Sequence, residues 1–76
     1  MNEPLLQDAL AQAEAAFSQA ALQALQSEDG QERGALWREL AHTYDKTLDW
    51  WPRQELSFQR LMTLRDWARR LSIPEV

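Results

Sequence analysis

The sequence predicts an all-α protein, a small antiparallel three-helix bundle with helices over roughly 4–27, 32–50 and 53–72. Three observations predict it. Apolar residues recur at helical spacing in three separate stretches. The chain holds only two Gly and three Pro, too few for a loop-rich or turn-rich fold. Ala and Gln abound while β-branched residues are scarce, which argues against a sheet. At 76 residues the whole chain, 1–76, is one helical domain. Domains this small bury a core only marginally and often gain stability from a partner or a second copy.

The first helix begins near Pro4, a residue favoured in a first turn because its missing N–H would be unpaired there anyway. Asn2 or Glu3 can cap it. Leu6, Leu10, Ala13, Phe17, Ala20 and Ala24 follow a 4-3-4-3-4 spacing, a heptad-like seam for another helix. Leu5 and Leu22 lie off that seam. Much of the seam is alanine, which allows close approach but buries little area.

Ser27-Glu28-Asp29-Gly30 breaks the pattern. Gly30 suits a left-handed residue after a helix end, and Asp29 with Glu32 resembles a capping box. Gly34 weakens the turn that follows. The second helix carries Leu36, Trp37, Leu40, Ala41, Tyr44, Leu48 and Trp51 on one side. Arg38, Glu39, His42, Asp45, Lys46 and Asp49 fall on the other, and Trp50 lands among these charges. Pro52 stops this helix and is placed to open the third, with Glu55 in its first turn.

The third helix has the widest apolar arc. Leu61, Leu64, Ala68 and Leu71 form a seam, flanked by Leu56 and Trp67 on one side and Phe58 and Met62 on the other. That arc exceeds what one neighbouring helix hides, so the third helix either lies between the other two or offers a face to another chain. Arg69 and Arg70 suit its negative C-terminal end, and Pro74 ends it, leaving Glu75 and Val76 as a tail.

Trp37-x-x-Leu40-Ala41-x-x-Tyr44 resembles the first helix of a tetratricopeptide repeat, and Ala13-x-x-x-Phe17-x-x-Ala20 the second. The resemblance covers about a quarter of the chain and implies helical hairpins that bind peptides and proteins. Arg53 stands where that family places a small residue. The pattern is read as one of helix packing.

Composition excludes several function classes. Cysteine is absent, so there are no disulfides and no thiolate metal sites. No apolar run approaches the roughly 18 residues of a membrane span. The N-terminal Met-Asn-Glu-Pro lacks the basic segment of a secretory signal, so a cytoplasmic location is expected. A net charge of −4 argues against a general nucleic-acid binder. Residues 1–28 hold four acids and no base, while residues 52–76 hold five Arg against three acids. This pattern has two readings: the acidic first helix pairs with the basic third, or the third helix contacts nucleic acid with Arg on phosphates and Trp67 on a base.

Catalytic signals are weak. Glu39-x-x-His42 has the spacing of a carboxylate-bridged di-metal site, but both residues fall on the polar side and the chain has a single His. Asp45 and Asp49 sit one turn apart with nothing apolar around them to raise a pKa. No enzyme activity, cofactor or metal is expected. Four Trp in so short a chain fit an interface, because indoles bring large area at low entropic cost. The expectation is a non-catalytic protein–protein interaction module, an adaptor, chaperone-like or regulatory subunit. It would bind another protein, or a second copy as a homodimer, through Trp50, Phe58, Met62, Arg65 and Trp67. The alternative is a nucleic-acid-associated regulator using the Arg-rich third helix.

Overall fold

A computed structural model describes residues 3–73 of the protein. They form three helices, α1 (Glu3–Gln26), α2 (Gly30–Trp50) and α3 (Leu56–Leu71), with no strand among the described residues. Asn2, one of the two expected caps of the first helix, and Pro74, expected to end the third, lie outside those residues, as does the tail. The links, residues 27–29 and 51–55, are short, so consecutive helices run antiparallel. Two contacts fix the direction of α1 against α2. The Tyr44 hydroxyl donates to the Ala13 carbonyl, and the Phe17 and Trp37 rings sit 4.9 Å apart, tilted by 53°. The Arg60–Glu14 pair sets α3 alongside α1 in the same direction.

The core follows the helical spacing. Leu6, Ala13 and Ala24 of α1 are buried, with Leu10, Phe17 and Ala20 packed against them. From α2 come Trp37, Ala41, Tyr44 and Leu48, with Trp51 just past its end. Leu61 and Ala68 of α3 are both 0% exposed. The small side chain of Ala68 lets the backbones close up there, while Leu61 fills the space between helices. The pairing of α2 with α3 is the most extensive of the three and that of α1 with α3 the least.

Three local expectations are corrected. Gly30 is not left-handed; no described glycine has positive φ. Instead Gly30 is the first residue of α2, because Asp29 already caps the helix by accepting the Gln31 N–H at 2.9 Å. Glu32 does not complete a capping box. Its carboxylate accepts from the Ser27 hydroxyl at 3.1 Å, while Arg33 reaches back to the Ser27 carbonyl at 2.7 Å. Arg33 thus supplies the cation that the last turn of α1 lacks. Pro52 stops α2 as expected, with Trp51 extended before it (ψ 136°). It does not open α3, which starts at Leu56 rather than near residue 53. Residues 52–55 form a turn closed by the Glu55 N–H on the Pro52 carbonyl, and Glu55 is the extended residue before α3, making no side-chain cap. The Trp51 indole N–H donates to the Ser57 hydroxyl at 3.0 Å and ties this turn to α3. Lastly, Leu71, expected on the seam, is exposed, at the edge of a hollow it shares with Gly30, Gly34 and Trp37 of α2.

Gly34 reads from sequence as a weak point in α2, yet it is a point of close approach. A Cβ built on it comes within 2.9 Å of the Ser72 carbonyl oxygen, where α2 passes the end of α3. An exposed Gly→Ala change in a helix gains about 0.5–1 kcal/mol. Against that, overpacking onto backbone costs about 1–3 kcal/mol. Gly34→Ala is therefore expected to lower the melting temperature measured by circular dichroism. Gly30→Ala, whose Cβ meets only the tip of Arg33 at 3.5 Å, is expected to leave it level or raise it. A higher melting temperature for Gly34→Ala would show that the end of α3 yields.

Candidate functional site

The five residues singled out from sequence are distributed over three surfaces. Trp50, the last residue of α2, is 61% exposed. With Leu5, Leu6 and Pro52 it rims an apolar hollow of about 370 Å³ at one end of the bundle. Its ring leans on Trp51, centroids 5.4 Å apart, and Leu56 is left 88% exposed rather than covered by the indole. The sequence places Trp50 on the charged side of α2, and its exposure agrees.

Phe58 and Met62 are half-buried. They line a groove of about 430 Å³ between α2 and α3, with Leu48 beneath and Asp45, Asp49, Arg53 and Arg65 around its edge. Arg65 faces inward. Its guanidinium donates to Asp45 at 3.3 Å and to Asp66 at 3.1 Å, so it stiffens the groove wall instead of reaching for a partner.

Trp67 stands on the other flank of α3, about half a turn round the helix from Phe58 and Met62. It is 51% exposed, with the Arg70 guanidinium 5.7 Å from its ring centre, a cation–π contact. Other large apolar side chains are exposed toward the C-terminal ends of α1 and α3, namely Leu22, Leu25, Leu71 and Ile73. Leu25 directly follows Ala24 of the seam, and the regular spacing of the seam masks it.

The charges pair differently from the simplest expectation. Between acidic α1 and basic α3 the described residues show one ion pair, Arg60 with Glu14 at 2.8 Å. The larger share goes to α2, where Asp45 accepts from both Arg65 and Arg69, the latter at 2.8 Å. Asp45, read from sequence as part of an exposed acidic face, is thus a half-buried clamp joining α2 to α3. Arg65 and Arg69, one turn apart, form the fork that grips it. Asp45→Ala is expected to cost about 1 kcal/mol, since these pairs remain partly solvated. Chemical denaturation checks this, and the loss should shrink at high salt. A loss unchanged by salt would point to packing instead.

Glu39 and His42 are exposed on the far side of α2. Among the described residues no group of three His, Asp or Glu side chains is arranged to hold a metal ion. The Tyr44 hydroxyl is pushed up to about 12, by burial first and by the nearby Glu14 charge second. Its hydroxyl is hydrogen-bonded in the core rather than aimed at a cavity, so the shift is a packing effect. No helix of the described residues is long and apolar enough to cross a membrane. The fold and surface define a small three-helix protein whose outstanding feature is exposed apolar area. No protein-family model, curated protein or solved structure matches the chain.

Proposed function

We propose that this protein is a non-catalytic protein–protein interaction module, an adaptor or regulatory subunit. One observation carries the reading: Leu25, Trp67 and Leu71, toward the C-terminal ends of α1 and α3, are exposed large apolar side chains. A chain this small gains by covering such side chains, and an exposed Trp is a typical anchor. The groove floored by Phe58 and Met62 offers a second, smaller contact of mixed polarity. Binding through these faces needs no cofactor. The disposition of the arginines supports a protein partner over nucleic acid. Arg60, Arg65 and Arg69 engage carboxylates and Arg70 an indole, so they are not laid out along one face as a phosphate backbone requires. The test is a pull-down from the native host with the wild-type chain and with a Leu25→Glu/Trp67→Glu variant, read by mass spectrometry. A protein held by the first and lost by the second is the expected result. Retention by neither bait would remove a heterologous partner from the reading.

A further inference from the structure

We infer that α1 is a displaceable cover, which swings off the α2–α3 hairpin as a unit about residues 27–29 while that hairpin stays closed. The inference stands on how the three helices are held together and is independent of any partner.

α1 is the least anchored of the three helices. Its pairings with α2 and with α3 are each less extensive than the pairing of those two with each other. Its inward seam buries Leu6, Ala13 and Ala24, with Leu10, Phe17 and Ala20 only partly covered. An alanine removes far less apolar area from water than a leucine or an aromatic ring, so this seam contributes little per turn. Three of the five leucines in α1, Leu5, Leu22 and Leu25, are exposed. Among the described residues two polar contacts tie α1 to the other helices, the Tyr44–Ala13 hydrogen bond and the Arg60–Glu14 pair. Both fall near the middle of α1, and the Arg60 side chain is 68% exposed, so its pair adds little.

α2 and α3 hold each other without α1. Asp45 accepts from Arg65 and Arg69, the Trp51 indole donates to Ser57, and α2 meets the end of α3 where Gly34 passes Ser72. The link from α1 is built to survive the motion. Ser27 donates to Glu32, Arg33 donates to the Ser27 carbonyl, and Asp29 accepts from Gln31. None of these bonds reaches further than six positions along the chain, so they fix the start of α2 whatever the direction of α1. Opening takes the Phe17 ring from Trp37 and the Ala13 carbonyl from Tyr44, and so bares an apolar face that the closed form hides. Such openings of one weakly held unit, short of global unfolding, set the exchange of its amides with solvent.

Native-state amide hydrogen exchange on the full chain, read by NMR and corrected for intrinsic rates, tests the cover. The amides from Ala13 to Ala20 are expected to exchange at least about tenfold faster than the slowest amides of α2 and α3. Asp45→Ala separates the two modes of opening, because Asp45 joins helices that stay together when α1 leaves. It is expected to speed the slowest amides of α2 and α3 about fivefold and to leave those of α1 unchanged. Phe58→Ala, which alters the groove between α2 and α3, is expected to act in the same sense. Tyr44→Phe, which removes the bond to Ala13, is expected to speed the amides of α1. Amides of α1 as slow as the slowest of α2 and α3 would overturn the cover. So would an equal acceleration of all three helices by Asp45→Ala, since the bundle would then open only as a whole.

Discussion

Replacing Tyr44 with Ala is expected to destabilise the protein by about 3–5 kcal/mol, as for other large aromatic truncations in a core. A domain of this length has about 4–11 kcal/mol in all, so the variant should be partly unfolded near physiological temperature. Tyr44 is one of the two largest fully enclosed side chains, and its hydroxyl reaches the Ala13 carbonyl across the α1–α2 interface. Tyr44→Phe keeps the ring and loses only that bond, for about 1 kcal/mol. The two variants therefore separate packing from hydrogen bonding, and urea denaturation followed by helicity measures both.

The same residue predicts an alkaline limit to stability. Its folded pKa is raised from 10 to about 12, so the folded state holds the proton more tightly than the unfolded chain. That stabilisation is complete below pH 10 and is lost as pH rises from 10 toward 12. Two pKa units correspond to at most about 2.7 kcal/mol. Tyr44 is the only tyrosine, so phenolate absorbance reports on it alone. The stability advantage of wild type over Tyr44→Phe is expected to vanish across that interval. An advantage that persisted to pH 12 would mean that the phenolate is accommodated in the fold.

Leu61→Ala is the second large effect, at about 2–5 kcal/mol. Leu61 is fully enclosed where α3 meets the other helices, and Ala68, two turns on, has no side chain long enough to fill the space left behind. Leu22→Ala, the same chemical change on the exposed face of α1, is expected to stay within about 0.5 kcal/mol. Thermal melts of the two variants check the contrast. Equal losses would mean that Leu22 is covered in solution.

Those two leucines mark the limit of what a linear pattern conveys. Both sit in helices that the spacing predicts. Leu22 lies off the seam of α1, and its exposure follows from that position alone. Leu61, Leu64 and Leu71 belong to one seam of α3 by spacing, yet they end enclosed, half-buried and exposed in turn. Periodicity gives the angle of a residue about its own helix and says nothing of how far the neighbouring helices extend beside it. Trp50 was legible, because a large apolar residue among Asp49, Lys46 and Asp45 contradicts its own helix face. The five expected interface residues were not legible as one site. Phe58 and Trp67 belong to opposite sides of an arc too wide for sequence to divide.

The sequence by itself determined the helical class, the number of helices, the breaks before Gly30 and at Pro52, and most of the enclosed residues. Each of these follows from short-range physics: turn periodicity, capping, and the backbone restrictions of proline. Only the tertiary structure decided the remainder. It turned Gly34 from a weak point into a close contact with Ser72, and Asp45 from a solvated acid into the clamp for Arg65 and Arg69. It also tied Tyr44 to Ala13 and left Leu25, Trp67 and Leu71 exposed. These outcomes depend on residues 20 to 46 positions apart meeting at a particular height and angle, which is set by how whole helices pack and not by the spacing within any one of them.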